Sequence, residues 1–304
     1  MIELAGSIEL PEHVQPGGFD HADIHPASRK LYVAHTSNNA LDVIDCAAGQ
    51  YSHSIPNLTG IAGALVSGDR VFTSNRGEDT VGIFQVGAEN QMTRVPVGVH
   101  PNGLAFDPGR GLLLAANVGN PEIPNSTTLS MVDVGRGRMI HSIVVPGRTR
   151  WTIFDQQTDS FYVNIADPAV IVVVKARKTD AILRLLLIPA TGPHGLDSDI
   201  ANQRLFCACD AGRLITVGLL DGKILSDNAL NGKPDVIFFN PILQRLYVAI
   251  GDPGMLDVFD TETMKRIESV ETGKGSHTFA LEKETNTIYA FLPQTHSAAV
   301  FVDN

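Results

Sequence analysis

The chain repeats itself seven times. One unit reads Phe19-Asp20-His21-Ala22-Asp23-Ile24-His25-Pro26, then Arg29-Lys30-Leu31-Tyr32-Val33-Ala34-His35, and continues through Asn38-Asn39 into Leu41-Asp42-Val43-Ile44-Asp45. The same plan returns at 101–108, 113–117 and 129–133, and again at 234–241, 246–250 and 256–260. Weaker copies begin near Ala62, Arg150, His194 and His277. Aligned on the residue that opens each copy, the positions are Asp20, Ala62, Asn102, Arg150, His194, Asp235 and His277, at intervals of 42, 40, 48, 44, 41 and 42 residues. A repeat of this period marks units that cannot bury their own apolar faces and must stack on neighbours.

Each unit carries short alternating or apolar runs separated by Gly, Pro, Asn and Asp, the pattern of strands and turns. Val170-Ile171-Val172-Val173-Val174 is strongly β-branched. Long segments of helical period are missing, and only 181–188 is ambiguous. Four short strands per unit make one blade. The expectation is an all-β fold: a seven-bladed β-propeller of four-stranded antiparallel blades, as a single domain over 1–304. The last copy supplies strands near 278–281, 287–291 and 298–302 but no fourth, and residues 3–10 have no blade of their own. Pairing that N-terminal strand into the last blade closes the ring and covers an open edge. With 43% apolar and 18% charged residues, the chain can fill the cores this requires.

The units resemble the YVTN-type repeat, and more broadly the lactonase-like propellers. The resemblance rests on Leu31-Tyr32-Val33-Ala34-His35 with Leu41–Asp45, on Val71-Phe72-Thr73-Ser74-Asn75, on Leu113-Leu114-Ala115-Ala116-Asn117, and on Leu246-Tyr247-Val248-Ala249 with 256–260. The family's final Asn is kept at Asn75 and Asn117, while His35, Ile165, Cys209, Ile250 and Leu292 replace it elsewhere. The resemblance implies the architecture and, for function, ring opening of a lactone or a related lyase reaction.

Propeller topology places chemistry at the axis. The seven opening residues should form a ring at one mouth of the central channel, with a second tier from the second-strand ends: His35, Asn75 with Arg76, Asn117 and Asp210. Scaffold residues repeat from blade to blade, whereas the ring holds one Arg, two His, two Asp, one Asn and one Ala. Asp20, His194, Asp235 and His277 are candidate ligands for a divalent ion such as Zn, Mn or Fe, which would polarise a carbonyl and acidify a water. Arg150 suits a substrate carboxylate or oxyanion. His21 and His35 are candidate acid–base groups, and Asn75, Arg76, Asn102, Asn117 and Asp210 candidate substrate contacts. His25, His53, His141 and His296 read as structural or surface residues. Asp45, Asp133, Asp260 and Asp303 recur after third strands and read as turn-formers.

A net charge of −10 argues against nucleic acid or an anionic membrane as partner. No signal-peptide pattern opens the sequence and no apolar run reaches membrane-spanning length, so the expected location is the cytoplasm. The oligomeric state is left open by the sequence, with a monomer slightly favoured because propellers are commonly self-sufficient. Three cysteines do not build a disulfide framework, and Cys207 and Cys209, two apart on one strand, read as small buried hydrophobes. Phosphate-loop, dinucleotide and nucleophile-elbow motifs are absent. Three functions remain: a metal-assisted enzyme acting on a small carboxylated or lactone-like molecule, a non-catalytic binding platform for a protein or small ligand, and a metal-free lyase or isomerase. The longest insertion, 118–128 in the third unit, is the expected lid or contact loop under each.

Overall fold

The computed structural model describes all residues, Met1–Asn304. Seven four-stranded antiparallel sheets follow one another around an axis. Six of them take four consecutive strands each, from Phe19–His25 at the centre of blade 1 to Lys265–Glu271 at the rim of blade 6. Blade 7 takes three strands from the C-terminal end, and Ile2–Glu9 pairs with Ser297–Asp303 as its outermost strand. The expected closure is therefore present. The ambiguous stretch is the short outer strand Arg184–Leu187 of blade 4. The chain's only helical elements are two single 3₁₀ turns, and no helix is long and apolar enough to cross a membrane.

Stability resides between blades rather than within them. Seven apolar clusters of 8 to 15 buried residues fill the seven blade interfaces. The strand period of two explains how one run serves two cores. In Lys30–His35, Leu31 and Val33 face blade 7 while Tyr32 and Ala34 face blade 2. In Arg204–Cys209, Leu205, Cys207 and Cys209 face blade 4, and Phe206 and Ala208 face blade 6. Sheets covered on both faces need unbroken apolar runs, which is why the second strands of the repeats read as they do. The cysteines are free and buried.

Polar staples reinforce the seams beside the closure. Arg29 of blade 1 donates Nε and Nη2 to the two carboxylate oxygens of Glu282 in blade 7, at 2.5 and 2.8 Å. Asp303 departs from the turn-former expectation. Asp45, Asp133 and Asp260 do accept turn N–H groups from Ala48, Arg136 and Thr263. Asp303 is instead 1% exposed and accepts from Tyr247 Oη at 2.6 Å and from Arg245, both in blade 6. Its partners sit on the neighbouring sheet, a relation that turn spacing does not reveal.

One recurrent irregularity positions the axial side chains. The innermost strands of blades 1 to 6 each slip register against the second strand, between Phe19 and Ala22, Ile61 and Gly63, Pro101 and Leu104, Thr149 and Thr152, Pro193 and Leu196, and Pro234 and Ile237. The skipped residues include Asp20, Ala62, Asn102, Arg150, His194 and Asp235. A bulge leaves its extra residue unpaired and re-aims the side chain, here toward the axis. Glycines make room beside it: a Cβ on Gly195 would collide with the Asp235 carbonyl oxygen.

Candidate functional site

His194 is the hub of the mouth. Its Nδ1 donates to Asp210 Oδ1 at 2.7 Å, and its Nε2 forms an ion pair with Asp235 Oδ1 at 3.1 Å. Both ring nitrogens can donate only as an imidazolium. Burial opposes that charge, but the Asp235 carboxylate and the hydrogen bonds to Asp210 and Asp235 outweigh it, and the pKa rises to about 9. Asp235 responds in kind: burial pushes its carboxyl up, yet the His194 charge and hydrogen bond, with His277 and His21 nearby, hold it well below the usual carboxylate range. Arg150 stands over this pair, Nη1 3.3 Å from His194 Nε2 and Nη2 3.5 Å from Asp210 Oδ2. Lys233 reaches the same Asp210 oxygen at 3.4 Å.

Blades 1 to 3 complete the ring. Arg76 donates to Asn102 Oδ1 at 2.7 Å and lies 3.8 Å from Asp20. His21, one residue inward from Asp20, stacks on Trp151 with centroids 4.2 Å apart. Burial lowers its pKa despite the nearby Asp20 and Asp235 charges, so the ring is neutral at neutral pH. His277 places Nδ1 2.9 Å from the Gly275 carbonyl oxygen. Ala62, the apolar member, is fully buried.

Nine of the twelve expected site residues are thus at the mouth: Asp20, His21, Arg76, Asn102, Arg150, His194, Asp210, Asp235 and His277. The other three are corrected. His35 donates from Nδ1 to Oδ2 of buried Asp42 at 2.7 Å, and its ring packs on Phe19 and His13. Asn75 bonds Thr73 and Thr80, and Asn117 bonds Thr128 and Ser130. All three are fully buried. They end the second strands, where strand parity turns the side chain between blades; the following position, occupied by Arg76 and Asp210, turns to the mouth. His296 also differs from a plain outer-loop residue, since its Nδ1 accepts from the His13 backbone N–H at 3.3 Å and its ring lies 4.4 Å from that of His13.

Two cations escaped the sequence reading. Lys233 and Arg148 directly precede the inner strands Pro234–Asn240 and Thr149–Asp155. A basic residue immediately before an inner strand was the available signal. Partial burial beside Arg150 and Arg76 pulls the Arg148 guanidinium below its usual value. Arg76, Arg148, Arg150, Lys233 and the His194 imidazolium outnumber Asp20, Asp210 and Asp235 by five to three. Arg76 Nε and Arg150 Nε are buried without a partner. The insertion 118–128 curls over this side, held by Ser126 Oγ, which accepts from Asn120 N and donates to Asn120 O at 2.8 Å each. Between the loop and the blade 4 lead-in lies a cavity of about 710 Å³ bordered by Arg76, His100, Arg148, Asn125, Ser126 and Thr127. No Asp or Glu borders it.

The donors gathered here do not fit the expected divalent ion. His194 Nδ1 is held by Asp210, its Nε2 lies between Asp235 and Arg150 Nη1, Asp20 neighbours a guanidinium, and no three His, Cys, Asp or Glu side chains converge in ligating geometry. A cation-rich rim also repels a second cation.

The imidazolium makes a pH prediction. A pKa of about 9 in the folded protein lies above the ordinary 6.5. The stabilisation is therefore complete below about pH 6.5 and is lost as pH rises through about 9. Thermal melts from pH 6 to 10 should fall across that window, and His194→Gln should flatten the fall. Parallel slopes for the two proteins would remove His194 as the titrating group.

Comparison with known proteins adds the architecture alone. No family model matches the chain, and no curated protein does either. Among solved structures, a chain in the structure of Kuenenia stuttgartiensis hydrazine synthase superposes with a TM-score of 0.82 at 14% identity, over 95% of this chain and 96% of that one. A chain in the mitotic checkpoint complex superposes with a TM-score of 0.82 at 11% identity, over 99% of this chain and 91% of that one. The chain is a seven-bladed β-propeller. At such identities the likeness carries no activity from one propeller to another.

Proposed function

We propose that the mouth binds a small carboxylated molecule and performs metal-free acid–base chemistry on it, of the lyase or isomerase kind. The observation that carries this reading is the cavity bordered by Arg76 and Arg148 with no acidic side chain, Arg150 lying close enough to Arg148 for their charges to interact, in a protein of net charge −10. Guanidinium groups offer planar, paired donors that match a carboxylate. The two histidines then divide the work. Their surroundings push their pKa values in opposite directions, His21 down and His194 up. Such a split holds a neutral base near a fixed positive charge at one pH. His21 accepts a proton released beside the bound carboxylate, and the His194 imidazolium, held by Asp210 and Asp235, stabilises by its charge the oxygen where negative charge develops.

Calorimetric titration with citrate, gluconate and gluconolactone, with and without prior EDTA treatment, tests the proposal. Binding of the carboxylates should survive EDTA, and NMR of the mixtures should show proton exchange or elimination beside the carboxylate. Binding that vanishes with EDTA would favour the metal-assisted lactone reaction instead. Binding without any turnover would make the protein a ligand-binding platform.

A further inference from the structure

A second cavity, of about 260 Å³, lies deeper in the channel beyond the His21–Trp151 stack and reaches toward the ends of the inner strands at Ser67 and Ser198. Its chemistry is opposite to that of the mouth. Trp151, Phe238, Phe106 and Phe154 form apolar walls, Asp23 and Asp197 supply carboxylates, His21 borders it with a ring whose pKa burial lowers, and no Lys or Arg borders it. We infer that this cavity is a binding site for a small organic ammonium ion.

The two carboxylates occupy the same place in their blades, three residues after Asp20 and three after His194. Each is fixed rather than mobile. Asp23 accepts from the Ile24 and Val66 backbone N–H groups at 2.8 and 2.7 Å, one on each oxygen. Asp197 accepts from those of Ser198 and Phe239 at 2.7 Å each. A carboxylate oxygen accepts more than one hydrogen bond, so each acid keeps lone pairs for a ligand. No Lys or Arg on the lining neutralises them; the one cation whose charge acts on both, Lys283, is outside it. Burial pushes the Asp23 carboxyl up to about 6 and raises that of Asp197. Both changes record burial that the Lys283 charge offsets only in part.

A third polar group points the same way. Thr152 borders the cavity, is 3% exposed, and its hydroxyl has no hydrogen-bond partner. Buried hydroxyls are rarely left unpaired, and an N–H or O–H of a ligand supplies the missing donor. Aromatic faces complete the fit, because the ring quadrupole attracts an ammonium group over the face. Trp151 and Phe238 meet edge to face at 5.9 Å, so two differently oriented rings border the same space. The volume admits a compact amine and excludes a bulky one.

Trp151 is the protein's sole tryptophan, so intrinsic fluorescence reports on this cavity directly. Titration of the intact protein with tetramethylammonium and with methylammonium chloride should give a saturable change in Trp151 emission. Sodium chloride at equal ionic strength and the neutral isostere neopentane-like tert-butanol should give none. Asp197→Asn and Asp23→Asn should each weaken the response at least tenfold, while Arg148→Ala should leave it unchanged. That last result separates this cavity from the anion site, so either can fail alone. A flat titration, an equal response to tert-butanol, or full retention in both Asn variants would overturn the inference. Should an Asn variant fail to fold, the melting temperature of the unaltered protein decides: tetramethylammonium must raise it above the sodium control, and equal melting temperatures refute the site.

Discussion

Arg150→Ala should lower the affinity for a carboxylated ligand about 100-fold. Hydrogen bonds to charged groups contribute roughly 1.5–3 kcal/mol, and each ~1.4 kcal/mol is tenfold in affinity. Arg150 stands at the centre of the mouth, with its Nε buried and unpartnered and Nη2 on Asp210. The fold should survive the change, since Asp210 keeps His194 and Lys233 as partners. Arg150→Lys should recover only part of the loss, because an ammonium cannot reproduce the paired planar donors. Calorimetric titration with the tightest-binding carboxylate checks both variants. Equal affinity in the unaltered protein and Arg150→Ala would place the ligand elsewhere.

Deleting residues 2–9 should have the largest effect on stability. The strand Ile2–Glu9 pairs along Ser297–Asp303 and buries Ile2 and Ile8 in two different blade interfaces. Removing two buried isoleucines costs roughly 2–5 kcal/mol each, before the lost strand pairing is counted. A domain's whole stability is about 5–15 kcal/mol. The deletion also bares the edge of Ser297–Asp303, a template for pairing with another chain. The expected result is loss of the cooperative melt and recovery of the protein mainly as aggregate. A soluble product melting within a few degrees of the full chain would show that the ring does not depend on this strand.

The architecture was legible because the repeat states it seven times. Runs such as Leu31–Ala34 and Leu246–Ala249 declare sheets covered on both faces, and the missing fourth strand of the last blade names its own partner. The axial ring was legible for the same reason, since the opening residue is skipped by the pairing in six blades and precedes the inner strand in the seventh. His35, Asn75 and Asn117 misled because a strand end and the residue after it point to opposite sides, and repeat alignment fixes position but not parity. Contacts across blades were out of reach. Nothing local marks Asp303 as a partner of Tyr247, or both nitrogens of His194 as spoken for by Asp210 and Asp235. The metal expectation counted residue types; the structure shows how their lone pairs and protons are already allocated.

The slipped register at the head of six of the seven inner strands has a consequence for how such a molecule changes over time. An axial side chain seated there belongs to no inter-strand bond pair, so exchanging it disturbs neither the sheet nor the interfaces on either side. The scaffold thereby offers interchangeable sockets around one shaft, and new specificities can be installed one socket at a time without rebuilding the wheel that carries them.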